Sequence, residues 1–586
     1  MKKFLVGLLV GIVISVFAGI VLVFAMARLG DGEPSVANDS VLRLTLSGPV
    51  QEMSAPSLPI PGQAPTGLTT VEIWSSLRKA AVDDRIKAVI FEPRMPSLGW
   101  ATAQEIRGSV EKFKKESGKP VYAILRMPRM VDYYMASAAD KIYASPEDML
   151  LLQGMRLEVM YLKNTLDKIG VTVEVEHAGK YKDAGDQYTE TSMTPETREV
   201  LTTVLDDLYS DFLATTSAAR KTTPEQMAAI IDKGPFTATS ALAEGLIDGL
   251  KYEEQIKDEL KESLKLSAYK ETDVRKYRDV SSSSLGLTGD TSVAILTTQG
   301  AIMRGKSDAF SRSSMIASET LIEEMRDLAK NDSIKGVILR VDSPGGDAIA
   351  SDEILHEVRA LSKKKPMVIS MSDAAASGGY YISMSGDPVV AYPSTLTGSI
   401  GVVFTKPVLK GLYNKIGITK DALSRGRNSA FLSDYEALDA NGRERLKALI
   451  DDTYKAFLTR VTEGRKRPME EIAPLAQGRV WLGSQAKERG LVDEVGGFDV
   501  ALAALKKKAN IPENDKMKIF IYPGKQSFFE LLASLESGSM GSMGARSVFQ
   551  GTPMEAVMEP LMGSPFLRSM ETPGVKALMP FAVDVH

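Results

Sequence analysis

An internal repeat constrains the fold of this chain more than any other feature of its sequence. The stretch Asp84-Arg-Ile-Lys-Ala-Val-Ile-Phe recurs as Asp332-Ser-Ile-Lys-Gly-Val-Ile-Leu. The register then holds at an offset of 247 or 248 positions, with the identical pairs Ile86/Ile334, Ile106/Ile354, Pro146/Pro393 and Lys168/Lys415. Self-similarity at a fixed offset indicates that one structural unit is built twice. The chain is therefore predicted to contain two copies of one domain.

Each copy alternates short apolar runs with longer amphipathic segments. In the second copy, residues 337–341 and 367–371 have the apolar, β-branched character of buried strands. Residues 350–362 between them have the spacing of a helix. A strand, helix, strand order predicts parallel strands covered by helices. We therefore predict an α/β fold made of tandem β-α-β domains.

The domain boundaries follow from the repeat and from the polar stretch between its copies. At 586 residues the chain exceeds what one hydrophobic core normally organises. We predict a first copy over residues 40–265, a linker over 266–290 and a second copy over 291–510. The remaining tail, residues 511–586, is rich in Met, Gly and Pro and carries no catalytic motif. It is predicted to be flexible or to line an apolar substrate chamber.

The N-terminus carries an apolar run that is long enough to cross a bilayer. Lys2 and Lys3 precede a run from Phe4 to Ala27 that only glycines and one serine interrupt, and a span needs about 20 apolar residues. Residues 1–30 are therefore predicted to form a single-pass anchor, with the lysines in the cytoplasm and both copies outside it. The alternative is cleavage after Ala27, although a cleavable apolar region is normally only about 7–15 residues long.

The composition of the chain excludes several classes of site. There is no cysteine, which rules out disulfides, thiolate zinc sites and a cysteine nucleophile. Three histidines leave few ways to build a histidine triad or a multi-histidine metal site. A net charge of −4 lacks the basic excess of a nucleic-acid binder. A thiolate or multi-histidine metal site and a nucleic-acid partner are therefore not expected.

The second copy carries a candidate nucleophile that the first copy lacks. Ser377 stands in Ala-Ala-Ala-Ser-Gly-Gly, between a predicted strand and a predicted helix, where small neighbours let a substrate carbonyl approach. Upstream, the glycines of Asp342-Ser-Pro-Gly-Gly-Asp can turn backbone N–H groups toward an oxyanion, or merely form a tight turn. Met130 occupies the position of Ser377 in the first copy, which also lacks both glycines. Asp347 and Asp373 are interpreted as turn or capping residues.

The first copy carries a lysine that the second copy lacks. Lys182 lies in His177-Ala-Gly-Lys-Tyr-Lys-Asp, and Ser429 occupies its position in the second copy. Desolvation lowers the pKa of a lysine, so that the neutral amine can deprotonate a serine. Complementary losses predict one active site assembled from both copies, with Ser377 as nucleophile and Lys182 as general base. A solvated surface charge is the ordinary alternative for Lys182 and Lys180, and His177 is the rival base.

These stretches together resemble the long, two-copy form of the signal peptide peptidase A group in the S49 serine protease family. The resemblance covers residues 40–510 and rests on residues 179–184, 342–346, 376–381 and 393–401. It implies a ClpP/crotonase-like fold, with Ser377 as nucleophile and Lys182 as base. It also implies that Ser399 orients the lysine and that the backbone N–H groups of Gly346 and Gly378 form the oxyanion hole.

The same resemblance implies partners and a location. The substrates would be peptides, above all remnant signal peptides in the membrane, and no cofactor or metal would be needed. Further copies of the chain would form a dome-shaped homo-tetramer. The location would be the bacterial-type inner membrane, with the catalytic domains on the periplasmic side. The residues after Lys182 depart from the family pattern, which leaves the shape of that pocket open.

Other functions stay open on the sequence alone. A crotonase-like acyl-transfer enzyme would use the same glycine loop, but such enzymes rely on carboxylates and a nucleotide-bearing cofactor. A non-enzymatic membrane scaffold would use the repeat only for oligomerisation. Among proteases, a prohead-type or quality-control peptidase would share the chemistry and differ in its substrate.

Overall fold

The computed structural model describes residues 34–53, 67–307, 313–524 and 575–579. Each copy contains a parallel sheet whose strands are joined through helices, and a third sheet contains strands from both copies. The strand, helix, strand order predicted from the periodicity is thus present in each copy. Strands are numbered below in chain order.

The sheet of the first copy has six parallel strands in the order β8-β4-β3-β2-β1-β9. Their bounds are β1 (Ser40–Pro49), β2 (Ile86–Ser97), β3 (Val121–Leu125), β4 (Lys141–Ala144), β8 (Gly249–Leu250) and β9 (Lys270–Asp273). A small antiparallel pair, β5 (Met149–Leu150) and β7 (Phe236–Thr237), lies outside this sheet.

The sheet of the second copy follows the path β19-β17-β15-β13-β10-β21, and β16 and β20 extend it beside β15. All its pairs are parallel except β17 with β19. The bounds are β10 (Thr291–Gln299), β13 (Ile334–Ser343), β15 (Met367–Ala376), β16 (Val389–Ala391), β17 (Leu396–Gly398), β19 (Val480–Leu482), β20 (Glu494–Val495) and β21 (Met517–Tyr522).

The third sheet joins the two copies and has the order β12-β11-β14-β22-β18-β6. Only β6 comes from the first copy, and it pairs antiparallel with β18 along seven residues of each strand. The bounds are β6 (Thr172–Ala178), β11 (Ala301–Met303), β12 (Met315–Ala317), β14 (Gly345–Asp347), β18 (Val402–Val408) and β22 (Lys576–Leu578). This sheet connects the end of β6 with residues 342–347 of the second copy, which are called the glycine loop below.

Helices cover the sheets, and several begin at side-chain caps such as Thr69, which accepts a hydrogen bond from the backbone N–H of Glu72. In the first copy they are Thr70–Val82, Trp100–Ser117, Met130–Ala136, Lys163–Ile169, Asp186–Thr189, Pro195–Arg220, Pro224–Ile231, Ala238–Ala243, Glu253–Ser263 and Val274–Tyr277. In the second copy they are Ser318–Lys330, Ala348–Lys364, Gly378–Ile382, Lys410–Lys415, Ala440–Arg465, Met469–Ile472, Gly483–Glu488 and Phe498–Lys508.

The cores of the two copies use equivalent positions. Ile106 in the first copy and its repeat partner Ile354 in the second are both fully buried, each on the helix that follows the second strand of its sheet. Burying an aliphatic side chain of this size stabilises the fold by about 1.5–3 kcal/mol. The identical pairs of the repeat therefore include core positions that each copy needs on its own.

The observed elements differ from two predicted boundaries. β9 begins inside the predicted linker and pairs with β1, and β21 follows residue 510 and pairs with β10. Both lie at the edges of their sheets. The sequence of β9 is short and charged and therefore carries a weak strand pattern, whereas β21 has the apolar, β-branched pattern of a strand but lies beyond the predicted end of the second copy. The predicted anchor, residues 1–30, lies outside the described residues, as does most of the tail. Within the described ranges no helix is both long and apolar enough to span a membrane.

Candidate active site

Ser377 lies between the end of β15 and the first residue of the helix Gly378–Ile382. Its backbone has φ 55° and ψ −113°, a conformation that side-chain-bearing residues rarely adopt. Its N–H donates to the carbonyl of Gly398 at 2.8 Å, which fixes the turn against β17. The residue is fully buried. A strained backbone held by its surroundings is typical of a functional position.

Lys182 comes from the first copy, four residues after β6 ends, and its side chain is also fully buried. Its Nζ lies 2.7 Å from Ser377 Oγ, 2.8 Å from Ser399 Oγ and 3.0 Å from the Ser399 carbonyl oxygen. The predicted nucleophile, the predicted base and the predicted orienting serine therefore meet in one place. All three belong to the same chain, so no second subunit is needed to bring them together.

Two glycines leave room for the side chain of Lys182 to reach Ser377. Tyr181 N–H donates to the carbonyl of Gln477 at 2.8 Å, which ties the turn to the second copy. A Cβ atom on Gly478, where φ is +77°, would lie 2.6 Å from the backbone nitrogen of Lys182. A Cβ on Gly401 would lie 3.1 Å from Lys182 Cδ. Close backbone approach from both sides thus encloses the lysine and excludes water from it.

Burial sets the protonation state of the lysine. Desolvation lowers the pKa of the Lys182 ammonium well below its usual value, and the charge of Asp183 opposes this shift only in part. Burial also raises the pKa of Asp183, whose carboxylate accepts a hydrogen bond from Thr197. The lowered pKa favours the neutral amine, whose lone pair can accept the proton of Ser377 across the 2.7 Å contact.

The glycine loop faces the serine turn. A Cβ on Gly345, where φ is +102°, would lie 2.7 Å from the backbone nitrogen of Gly378. A Cβ on Gly378 would lie 3.1 Å from the nitrogen of Gly346. The backbone nitrogens of Gly346 and Gly378 therefore lie near each other, and Gly378 directly follows Ser377. Backbone N–H donors beside a nucleophile stabilise a tetrahedral oxyanion where they converge on it.

Ser399 has a backbone as unusual as that of Ser377. Its φ is 50°, it is fully buried, and its N–H donates to the carbonyl of Arg479 at 2.7 Å. Both its hydroxyl and its carbonyl oxygen accept from Lys182, so the residue holds the amine at two points. This contact was expected from the resemblance alone, because nothing in the sequence around Ser399 distinguishes it from a turn serine.

The other candidate bases lie elsewhere. His177 is exposed on β6, and its Nδ1 contacts the carbonyl of Gly179 at 3.1 Å. Lys180 is exposed and pairs with Glu196 at 3.4 Å. His356 is exposed on the helix Ala348–Lys364, which follows the glycine loop. Within the described ranges no group of three or more His, Asp or Glu side chains is arranged to hold a metal ion.

Asp347 and Asp373, interpreted from the sequence as turn or capping residues, both cap helices. Asp347 caps the helix that follows it, whereas Asp373 caps a helix of the other copy. Asp347 accepts from the N–H of Ala350 at 2.9 Å, at the start of the helix Ala348–Lys364. Asp373 accepts from the N–H of Gly99 at 3.1 Å and from the N–H of Thr102 at 2.8 Å, which begin a helix of the first copy. Sequence reasoning missed this contact because the two partners are more than 270 positions apart.

A buried polar cluster continues this junction between the copies. Arg340 on β13 donates to Glu52 of the first copy at 2.9 Å, and both side chains are buried. Ser372 also donates to Glu52, at 2.6 Å. Close by, burial and the neighbouring charge of Asp373 raise the pKa of Asp342 to about 8. The strand that ends at Ser377 is thus held by polar contacts to the first copy as well as by its own sheet.

Comparison with known proteins identifies the family of this chain. The peptidase family S49 matches residues 113–267 and again residues 359–512. Serine protease SPPA, chloroplastic, of Arabidopsis thaliana is 36% identical over 489 residues, covering 83% of this chain and 71% of that protein. Protease 4 of Salmonella typhi is 32% identical over 483 residues, covering 80% and 76%. A ClpP1 mutant of Listeria monocytogenes aligns with a TM-score of 0.23 and 14% identity, covering 35% of this chain and 94% of its own. The chain belongs to peptidase family S49 and is a serine protease in which the domain of that family occurs twice.

Proposed function

We propose that this serine protease is a membrane-anchored endopeptidase with a Ser377/Lys182 dyad that degrades cleaved signal peptides and other apolar peptides. The observation that carries the dyad is the 2.7 Å contact between two fully buried side chains, one from each copy. Membership of the peptidase family removes the scaffold and acyl-transfer alternatives. The substrate class and the anchor rest on the apolar run at the N-terminus and on the resemblance to the signal peptide peptidase A group.

The proposed reaction has two stages. Ser377 Oγ attacks the substrate carbonyl while Lys182 Nζ takes the serine proton, and the N–H groups of Gly346 and Gly378 hold the oxyanion. Lys182 then gives the proton to the leaving amine, and an ester on Ser377 remains. A water molecule that loses its proton to the same amine hydrolyses this ester. Ser399 keeps Nζ directed at Oγ throughout, and no metal or cofactor takes part in this scheme.

The proposed location and assembly follow the same resemblance. Residues 1–30 would anchor the chain once in a bacterial-type inner membrane, with residues 40–510 on the periplasmic side. Several copies would form a homo-tetramer whose active sites face a shared interior. Two apolar clusters, one with Val402 and one with Leu482, pack against Val575 and Met579 of the C-terminal segment, which fits the binding of apolar peptides.

The proposal is tested with the full-length chain purified in detergent. Ser377→Ala and Lys182→Ala are compared with the wild type on a fluorogenic peptide ester and on a synthetic signal peptide. Lys180→Ala is the matched control, because Lys180 lies two residues from Lys182 and is exposed. We expect both dyad variants to lose hydrolysis and the control to retain it. Retention of activity by a folded Lys182→Ala variant would contradict the dyad, whereas a wild type that cleaves the ester and spares the signal peptide would contradict only the substrate class.

A further inference from the structure

The C-terminal strand β22 lies in the cleft of the candidate active site. It pairs antiparallel with β14, the strand of the glycine loop, and Lys576 also pairs with Val403 of β18. The strand therefore fills the gap between the glycine loop and the strand that pairs with the lysine-bearing copy. Addition of an extended peptide beside a strand is a common way of binding peptide substrates. Residues 575–579 thus occupy the place where a substrate would add.

The hydrogen-bond register identifies which carbonyl faces the oxyanion donors. The N–H of Ala348 donates to the carbonyl of Val575 at 3.4 Å, and the N–H of Met579 donates to the carbonyl of Pro344 at 2.6 Å. Hydrogen-bonded pairs in an antiparallel ladder recur every second residue. The pair midway between these two is Gly346 with Ala577. The Ala577 carbonyl is therefore directed at the N–H of Gly346, one of the two proposed oxyanion donors.

The size of Ala577 fits this position. The residue is almost fully buried, with 1% of its surface exposed. A Cβ on Gly345 would collide with the Ala577 carbonyl oxygen, so only a glycine there lets the strand come this close. The same Cβ would lie 2.7 Å from the nitrogen of Gly378, next to the nucleophile. A small residue whose carbonyl faces the N–H of Gly346 and lies close to Gly378 has the geometry expected of the residue before a cleaved bond.

The residues on either side of Ala577 anchor the strand through apolar contacts. Val575, Ala577 and Met579 share one face of the strand because side chains alternate along it. Val575 packs on an apolar cluster that includes Val402 and Phe404. Met579 packs on a second cluster formed by the helix Pro195–Arg220 of the first copy and by β19 of the second. The segment thus fits the cleft on both sides of the central alanine.

We propose that the enzyme cleaves its own chain between Ala577 and Leu578, and that the uncleaved strand blocks the cleft against other substrates. This inference rests on the proposed function. Ser377 Oγ bonds to the Ala577 carbonyl carbon, the bond to the Leu578 nitrogen breaks, and Lys182 passes the serine proton to that nitrogen. Residues 578–586 leave as a peptide with a free amine. Water then hydrolyses the ester and leaves a carboxylate on Ala577.

Intact-mass spectrometry of the full-length protein tests the cleavage. We expect wild-type chains to end at Ala577, and Ser377→Ala chains to keep residues 578–586. Ala577→Trp should also keep them, because the cleft has no room for a large side chain. Ala582→Trp is the matched control, since it changes another alanine of the same tail and leaves the strand intact. Wild-type chains that keep residues 578–586 while cleaving an added peptide would overturn the inference and leave the proposed function standing. Wild-type chains that cleave neither their own tail nor the added peptide would overturn both the inference and the proposed function.

A second measurement tests the blocking role. In Ser377→Ala the strand stays in place, so binding of a fluorescent apolar peptide should be weak, and ending that chain at residue 574 should strengthen it. A tethered segment competes at an effective concentration on the order of millimolar. We therefore expect the apparent Kd to fall by at least about tenfold on truncation. An unchanged Kd would overturn the blocking role. Circular dichroism confirms that the truncated chain is folded.

Discussion

The two copies share a mostly parallel sheet, equivalent helices and equivalent core positions, yet each supplies only part of the proposed active site in which Ser377 meets Lys182. The second copy supplies Ser377, Ser399 and the glycine loop, and the first copy supplies Lys182 on a turn that crosses between the domains. The core is retained in both copies because each must fold. The proposed catalytic groups are divided between the copies, since a single Ser/Lys site needs only one nucleophile and one base. This difference distinguishes the residues that each copy needs in order to fold from the residues that only the proposed active site needs.

The largest expected effect comes from comparing alanine substitutions at equivalent positions of the two copies. Lys182→Ala should lower kcat/KM by at least about 10³-fold, because an unactivated serine is a weak nucleophile. Ser429→Ala changes the repeat partner, which is exposed, and should leave kcat/KM within about twofold. The measurement is hydrolysis of a peptide ester by both full-length variants. Comparable losses in the two would contradict the division of roles between the copies.

A smaller loss is expected from the glycine loop. Gly345→Ala places a Cβ 2.7 Å from the nitrogen of Gly378 at a φ of +102°, and should lower kcat by about 10²-fold through displacement of an oxyanion donor. Ser97→Ala at the repeat partner, which is exposed, is the control and should have no effect on kcat. Steady-state kinetics with the peptide ester separates kcat from KM. A change confined to KM would indicate that the loop only binds substrate.

The pH dependence follows from the lowered pKa of Lys182. Only the neutral amine can accept the serine proton, so kcat/KM should fall by about tenfold for each pH unit below that pKa and reach a plateau above it. Because burial lowers the pKa, the plateau should begin well below the pH at which an ordinary lysine loses its proton. Lys180→Ala should leave the profile unchanged. A flat profile between about pH 6 and 9 would count against Lys182 as the base.

Ser399→Ala should have a moderate effect. It removes one of the two acceptors that hold Lys182 Nζ and leaves the carbonyl contact at 3.0 Å, so kcat should fall by about tenfold. Because the hydroxyl acts through the lysine, the midpoint of the pH profile should also move. Ser399→Thr keeps the hydroxyl and should recover part of the activity. An unchanged midpoint in Ser399→Ala would restrict the residue to a structural role.

The smallest effect concerns the junction between the copies. Thr102→Val removes a 2.6 Å hydrogen bond to the half-buried carboxylate of Asp373 and should lower the free energy of unfolding by about 1–3 kcal/mol. Ser109→Ala is the control, because the Ser109 hydroxyl on the same helix has no hydrogen-bond partner in the described part of the chain. Urea unfolding measures both variants. Equal midpoints would show that this contact contributes little to the junction.

Much of the fold, and the contact between Ser377 and Lys182, could be predicted from the sequence because the repeat supplies an internal control. Ser377 against Met130, and Lys182 against Ser429, are differences that one chain displays within itself. The contacts that were missed have no local pattern. Asp373 caps a helix in the other copy, and β22 follows a long stretch rich in Met, Gly and Pro that indicates a loop. Long-range pairing of this kind depends on the assembled sheet rather than on nearby residues.

The central claim is that one active site is assembled from both copies, and a double variant tests it most directly. Peptide ester hydrolysis is measured for Ser377→Ala, for Lys182→Ala and for the chain that carries both changes. If the two residues act as one unit, the double variant keeps about the same residual kcat as the more impaired single variant. Losses that multiply in the double variant would show that the serine and the lysine act independently, and would contradict a shared site.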